Sequence, residues 1–142
     1  MRALLDVSVL LALFDAAHTH HERARAWWND RRDETWASCP LTQNGFLRII
    51  SKPGYPHPLA LADAMSALHA QISLPGHEFW PDNISVADPG TFDHTRIFGP
   101  NQITDVYLLA LAVKNGGRLA TFDRSVRTAA VRGAEPHHLV IL

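Results

Sequence analysis

Short apolar runs alternate with longer amphipathic stretches along this chain. The apolar runs predict buried β-strands at residues 2–6, 36–38, 77–80, 118–121 and 139–142. Between them, continuous or periodic apolar patterns predict helices at residues 7–14, 19–33, 40–50, 59–72, 103–114 and 124–131. This alternation is typical of an α/β protein with a parallel sheet, right-handed crossovers and helices on both faces.

Two local features modify this pattern. Gly45 lies inside the predicted helix 40–50 and weakens it by about 1 kcal/mol relative to alanine. Residues 81–101 are rich in Pro, Gly, Asn and Asp, which predicts mostly irregular backbone. Loops of that length in a compact domain are often functional.

Composition and charge favour one compact domain of ordinary polarity. The 142 residues are 46% hydrophobic and carry a formal net charge of -1, so a nucleic-acid substrate would need a local positive surface. Cys39 is the single cysteine, which excludes an intrachain disulfide and a cysteine-based zinc site. Asp6 interrupts the first apolar run too early for a signal peptide, and no run is long enough to span a membrane. We therefore expect a soluble cytoplasmic protein.

Three aspartates are expected at one edge of the sheet. Asp6 and Asp123 each follow an apolar strand, at the carboxyl ends where ligands collect in open parallel sheets. Asp105 lies in the first turn of the predicted helix 103–114 and can face the same edge. Converging carboxylates repel one another unless a cation lies between them, and hard divalent ions prefer such oxygen ligands. The pattern therefore predicts a magnesium-type metal site.

Each aspartate also has a purely structural interpretation. Asp105 can stabilise the positive end of its helix dipole, Asp6 can accept backbone hydrogen bonds at a strand-to-helix turn, and Asp123 can cap the predicted helix 124–131. Taken as a set, they favour metal-assisted phosphodiester hydrolysis. Mg²⁺ usually keeps coordination positions open for a substrate phosphate and a nucleophilic water.

Nine histidines raise zinc as an alternative metal. The densest group, His18, His20 and His21, has no evident fourth ligand and lies where a helix begins. We therefore interpret His21 as a packing residue on the sheet and His18 as a residue near the helix cap. The tryptophans, including Trp80, are interpreted as core residues rather than as base-stacking platforms.

Five segments in a fixed order carry a family resemblance. They are residues 4–10 (LLDVSVL), 39–48 (CPLTQNGFLR), 79–82 (FWPD), 103–112 (ITDVYLLALA) and 119–123 (LATFD). Each segment is modest alone, but their order and spacing are specific. By these segments the chain resembles the PIN-domain ribonucleases, specifically the VapC toxins of bacterial type II toxin–antitoxin pairs, and the resemblance runs nearly end to end.

The resemblance implies a fold, an activity and partners. The implied fold is one PIN domain over residues 1–142, a three-layer α/β/α sandwich around a mostly parallel sheet of four to five strands. The implied activity is that of an endoribonuclease that depends on Mg²⁺, with Mn²⁺ as a substitute, and transfer RNA is a substrate that the family suggests. A cognate VapB-like antitoxin would inhibit the enzyme, and homodimerisation is frequent in the family.

The resemblance also implies roles for individual residues. Asp6 and Asp105 match the metal-binding acids, and Asp123 matches the third acid. Thr121 is its neighbouring hydroxyl, and Ser8 matches a small polar residue near the first acid.

One position departs from the family pattern. PIN nucleases commonly carry a glutamate in the helix at residues 40–50, where this chain has Asn44 or, as the other alternative, Gln43. A neutral amide can orient a metal-bound water but removes one negative charge, which leaves the number of metal ions open. Two other classes remain as alternatives: a non-catalytic RNA-binding or dimerisation module with a decayed site, and a haloacid-type phosphotransferase suggested by Asp6 and Ser8.

Overall fold

A five-stranded parallel sheet forms the centre of the computed structural model, which describes residues 1–31 and 35–142. Its strands lie in the order β3-β2-β1-β4-β5, and every pairing between neighbours is parallel. The predicted sheet is thereby confirmed, and each strand lies within about one residue of its predicted bounds. The strands are β1 (Ala3–Leu5), β2 (Trp36–Ser38), β3 (His77–Phe79), β4 (Arg118–Thr121) and β5 (Leu139–Ile141).

Five α-helices are present in the described part of the chain. They are α1 (Val7–Phe14), α2 (His21–Asp30), α3 (Pro40–Ile50), α4 (Leu61–Ile72) and α5 (Ile103–Lys114). Helices α1, α3 and α5 have their predicted bounds, whereas α2 and α4 each begin two residues later than the pattern predicts. The end of α2 predicted at residue 33 lies outside the described residues.

The helix predicted at residues 124–131 is wrong. The chain forms turns there and a short 3₁₀ helix, Thr128–Ala130. Asp123 accepts a hydrogen bond from the Ser125 amide through Oδ1, at 2.8 Å, and such local side-chain bonds compete with helix formation. The β-branched residues of the segment lower its helix propensity further.

The long segment 81–101 is irregular, as its composition predicts, apart from short 3₁₀ helices at His94–Arg96 and at its end, Pro100–Gln102. It leads directly into α5. Over the ranges that the structure describes, no helix combines the length and the apolar character needed to cross a bilayer.

The helices form a layer on each face of the sheet. One core contains the buried face of α5 together with Leu4 of β1 and Leu119 of β4. The other core contains buried residues of α1, α2, α3 and α4 together with Leu5 and Ala120. Consecutive strand residues point to opposite faces, so β1 and β4 contribute to both cores. This arrangement confirms the three-layer α/β/α sandwich.

The carboxyl edge between β1 and β4 is the topological switch point of the sheet. From β1 the chain adds β2 and β3 on one side, and it then adds β4 and β5 on the other side. Connections that leave in opposite directions open a crevice at such an edge, where ligands bind in open α/β sheets. Asp6 directly follows β1, and Asp123 follows β4 after one intervening residue.

Gly45 allows α3 to lie against the start of α1. A Cβ atom at this position would lie 2.8 Å from Cγ2 of Val7, closer than side chains pack. The weak helix position in the sequence therefore has a packing reason. Because Val7 directly follows Asp6, this close approach places α3 beside the carboxyl end of β1.

Candidate active site

Asp6 is buried and is held by neutral hydrogen-bond donors at the junction of β1 and α1. Its Oδ1 accepts a hydrogen bond from the Val7 amide at 2.7 Å, which caps α1. Its Oδ2 accepts hydrogen bonds from the Ser8 hydroxyl at 3.0 Å and from the Thr121 hydroxyl at 2.8 Å. An ionised carboxylate has about four acceptor positions, so three donors orient Asp6 and leave acceptor capacity for a cation.

Thr121 connects two of the predicted acids. Its buried hydroxyl donates to Asp6 and accepts a hydrogen bond from the Asp123 amide at 3.0 Å. The Asp6 amide donates in turn to the Ala120 carbonyl at 3.0 Å, which continues the pairing of β1 with β4 beyond the end of β1. The threonine therefore fixes the end of β4 relative to Asp6.

Asp123 lies in a tight turn after β4. Its Oδ1 accepts a hydrogen bond from the Ser125 amide at 2.8 Å, and the Ser125 amide and hydroxyl hold the pKa of the Asp123 carboxyl below its usual value. The turn is not the start of an α-helix, so the cap predicted for residues 124–131 is replaced by a local turn bond. Asp123 is ionised at neutral pH and is available as a charged ligand.

Asp105 is half-buried in the first turn of α5. Burial, the charge of Asp6 and a hydrogen bond with Asp123 together raise the pKa of its carboxyl to about 7. A position at a helix N-terminus favours the charged form of an acid. Since the pKa is nevertheless raised, desolvation and repulsion from the two acids outweigh the helix dipole. Asp105 therefore interacts electrostatically with Asp6 and by a hydrogen bond with Asp123, and we call the part of the sheet edge that carries these three acids the acidic edge.

The donor set fits a hard divalent cation. All three side chains offer oxygen, the ligand type that Mg²⁺ and Mn²⁺ prefer. In the described residues, no lysine or arginine forms an ion pair with any of the three. In those same residues, no three His, Cys, Asp or Glu side chains already surround a single point as metal ligands. Asp6, Asp105 and Asp123 would hold the cation, and its positive charge would favour the ionised form of Asp105.

The two candidate amides have different surroundings. Gln43 donates from Nε2 to the Ser38 hydroxyl at 2.9 Å, and Ser38 also contacts Nε2 of His77 at 2.8 Å. The Gln43 side chain is thereby tied to the ends of β2 and β3. Asn44 is exposed, and it precedes Gly45 at the close approach of α3 to α1. Gln43 is therefore engaged at the ends of β2 and β3, whereas Asn44 is exposed to solvent.

The histidine group near α2 serves the packing of helices. Nδ1 of His18 accepts a hydrogen bond from the His20 amide at 3.0 Å, close to the start of α2 as predicted. Nδ1 of His21 contacts the Ala12 carbonyl at 2.7 Å, so His21 packs on α1 rather than on the sheet. Trp80 is buried in the core, as predicted.

Sequence reasoning did not predict two contacts near the acids. The imidazole of His20 stacks on the ring of Phe122, the residue between Thr121 and Asp123. Asp82 accepts hydrogen bonds from the Tyr107 hydroxyl at 2.9 Å and from the Leu41 amide at 3.1 Å, which links α5 to the start of α3. Both contacts join segments that are far apart in the sequence. Asp82 lies in the family segment 79–82, so the resemblance points to its contacts, whereas no sequence signal points to the stack of His20 on Phe122.

Comparison with known proteins assigns the family. The family model for the PIN domain matches residues 3–131, so the chain belongs to the PIN-domain proteins. Ribonuclease VapC44 from Mycobacterium tuberculosis is 51% identical over 142 residues, which cover 100% of each chain. The chain therefore belongs to the VapC ribonucleases within that family. This membership sets aside the haloacid-type phosphotransferase.

Solved structures show the same fold. VapC20 from M. tuberculosis, described as a sarcin–ricin loop cleaving toxin, superposes with a TM-score of 0.58 at 13% identity, covering 82% of this chain and 85% of that one. VapBC2 from Rickettsia felis, bound to a DNA fragment from its promoter, superposes with a TM-score of 0.56 at 13% identity, covering 88% and 90%. At such identities the likeness concerns the fold alone.

Proposed function

We propose that this chain is the toxin of a type II toxin–antitoxin pair and hydrolyses RNA phosphodiester bonds at a divalent metal ion held by Asp6, Asp105 and Asp123. The ribonuclease class follows from membership in the VapC group. The observation that supports the site is the pKa of about 7 at Asp105, which burial and the interactions with Asp6 and Asp123 raise beside the switch point of the sheet. A divalent cation would offset the repulsion that raises this pKa.

The residues at this edge of the sheet have different roles. Thr121 and Ser8 hold Asp6 in one orientation, and Asp123 stays ionised beside Asp105. A bound divalent ion supplies Lewis-acid stabilisation of the phosphate charge and lowers the pKa of a water. We propose Mg²⁺ as the physiological ion and Mn²⁺ as its substitute.

Asn44 takes the place of the family glutamate in this proposal. Its amide orients water or substrate at the acidic edge without adding negative charge. With three acids instead of four, ion affinity in the absence of RNA is modest, and the substrate phosphate completes the coordination shell.

The partners and setting follow from the family. We propose that a VapB-like antitoxin binds and inhibits this chain, that the chain forms a homodimer, and that it acts on structured RNA, including transfer RNA, in the cytoplasm. The VapBC2 structure combines a toxin with its antitoxin and promoter DNA, which supports the partner class. We propose a single PIN domain over residues 1–142, because β5 beyond residue 131 pairs with β4.

Cleavage by matched variants tests this function. Purified protein with Mg²⁺ or Mn²⁺ should cut structured RNA, and a chelator should stop the reaction. Asp6→Asn should abolish both cutting and growth inhibition. Asp63→Asn is the control, because Asp63 is an exposed acid in the first turn of α4. Cutting that continues undiminished in Asp6→Asn, or in chelator, would contradict the proposal.

The missing acid at Asn44 supports one competing function, that of an RNA-binding or dimerisation module with a decayed site. Calorimetric titration with Mn²⁺ separates the two. An active site should bind Mn²⁺ in a manner that depends on Asp105, whereas a decayed site should bind none.

A further inference from the structure

A run of rings reaches from the start of α2 to the acidic edge. The His20 and Phe122 rings stack with centroids 4.8 Å apart and an interplanar angle of 25°. The His18 ring lies beyond them, with its centroid 5.8 Å from that of His20. All three rings are only half-buried, so part of their surface faces solvent.

Phe122 connects this run to the acids through the backbone. Thr121, which precedes it, donates to Asp6, and Asp123 follows it. Consecutive Cα atoms lie about 3.8 Å apart, so the ring run begins next to the proposed metal ligands. Phe122 packs with the core beneath α1 to α4, whereas α5, which carries Asp105, lies on the opposite face. The rings and Asp105 thus flank Asp123 from opposite sides.

Arg23 adds a positive charge beside the same ring. Its guanidinium carbon lies 5.6 Å from the Phe122 ring centroid, and its Nη2 donates to the Leu142 carbonyl. Arg23 is exposed, and among the residues described by the structure no Asp or Glu side chain forms an ion pair with it. The Arg23 guanidinium is therefore held in place. Because a guanidinium carries five N–H groups, it has further N–H donors for a ligand.

We propose that His20 and Phe122 form a stacking platform for one RNA base and that Arg23 contacts a phosphate of the same strand, next to the cleavage site. This inference rests on the proposed ribonuclease function and names how the same site holds its substrate. Aromatic faces stack bases with little sequence preference, and arginine binds phosphate through paired N–H groups. A chain with a net charge of -1 needs a local positive surface for RNA, and this one adjoins the acids.

RNA fits this surface better than a protein partner does. An RNA strand bound at Asp6 and Asp123 can extend over the neighbouring surface formed by His20, Phe122 and Arg23. This surface offers partly exposed rings, which suit a base, and an exposed cation, which suits a phosphate. A protein segment bound here remains the competing outcome of the test.

Binding is measured with a fluorescent 12-nucleotide single-stranded RNA and protein that carries Asp6→Asn, so that no cleavage occurs. His20→Ala should raise the Kd about fivefold to tenfold, because a base–aromatic stack is worth that much or more. His20→Phe should keep the Kd within about twofold, since it preserves the stacking face. Arg23→Ala should weaken binding to a similar degree and lower the salt dependence by roughly one counterion.

Control variants and a modified RNA isolate the two contacts. His69→Ala on α4 and Arg25→Ala on α2 remove the same residue types from exposed positions and should leave the Kd unchanged. RNA whose nucleotides lack bases should bind the parent protein and His20→Ala equally. Thermal unfolding confirms that each variant is folded.

The outcomes separate this inference from the proposed function. An unchanged Kd in folded His20→Ala and Arg23→Ala would overturn the platform, even where the parent enzyme cleaves RNA. Weaker binding by His20→Phe and Arg25→Ala as well would also overturn it, and so would a loss confined to antitoxin binding. RNA binding that depends on His20, in a protein without metal-dependent cleavage, would instead contradict the proposed function.

Discussion

One aspartate lies at the end of β1 and another lies in the first turn of α5, both on the same edge of the sheet, but the surroundings of their carboxyl groups differ. Asp6 is buried among three neutral donors that hold its carboxylate in place. Asp105 is half-buried, bonded to another acid, and has a pKa of about 7. The end of β1 therefore fixes the orientation of a carboxylate, whereas the first turn of α5 carries an acid whose ionisation is unfavourable without a nearby cation. Both residues are aspartates, so the hydrogen-bond donors around each of them, and not the residue type, distinguish these two roles.

The largest expected effect comes from Asp105→Asn. Cleavage of RNA should fall about 100-fold or more, because a proposed charged metal ligand is replaced by a neutral one. In chelator at pH 8 the same variant should unfold at a higher temperature than the parent protein, because it removes a charge that burial and two acids disfavour. A cleavage assay measures the first effect, and thermal unfolding measures the second.

Asp63→Asn is the matched control for that variant, since Asp63 occupies the same third position of α4 that Asp105 occupies in α5. It should change neither measurement. A variant Asp105→Asn that is less stable than the parent in chelator would show that Asp105 is satisfied rather than repelled.

Thr121→Val tests the region that orients Asp6. The change removes a donor to Asp6 and an acceptor for the Asp123 amide in a buried position. Such a loss costs about 1–3 kcal/mol, which lowers the Tm by several degrees in a chain of this size. Thr121→Ser keeps both bonds and should recover most of the stability. Equal losses in the two variants would assign the effect to the lost methyl group instead.

The pH dependence of stability should differ between the parent and Asp105→Asn. A carboxyl whose pKa rises from 3.8 to about 7 on folding stabilises the fold while it is protonated, and this contribution is lost as pH rises between these values. In chelator, the Tm of the parent should therefore fall relative to that of Asp105→Asn from about pH 4 to pH 7. Added Mn²⁺ should reduce the difference at pH 7. A constant difference across this range would contradict the raised pKa.

The smallest effect is expected for Ser8→Ala. Ser8 donates to the same Oδ2 atom of Asp6 that Thr121 already contacts. Its loss should cost no more than about 1 kcal/mol and lower cleavage by less than tenfold, as measured by unfolding and by initial rates. A loss as large as that of Thr121→Val would mean that the two donors are equally necessary.

Sequence patterns predicted the elements whose signals are local. The bounds of β1 and β4 follow from their apolar runs, and those of α5 follow from its periodic face. The rules of parallel sheets then place the acids at the ends of the strands and in the first turn of the helix at one edge. Asp6 could be predicted from these patterns alone, whereas the role of Thr121 was implied only by the family resemblance. The amide of Gln43, in contrast, could be separated from Asn44 only through its bond to Ser38.

What the sequence could not supply depends on contacts between distant segments. The predicted helix at residues 124–131 is wrong because the side chain of Asp123 bonds the Ser125 amide locally. The stack of His20 on Phe122 joins residues about a hundred positions apart, and no local pattern marks it. The raised pKa of Asp105 likewise depends first on burial and then on Asp6 and Asp123, which lie far from it in the sequence.

The pairing of β1 with β4 has a consequence for the timing of synthesis. Thr121 and Asp6 lie 115 residues apart, so the bond between them cannot form while only the first part of the chain exists. At 5–20 residues per second, translation takes about 6–23 s to cover that separation. During much of this interval a nascent chain carries Asp6 without Asp105 or Asp123, so the proposed metal site can form only after the last third of the chain has been made.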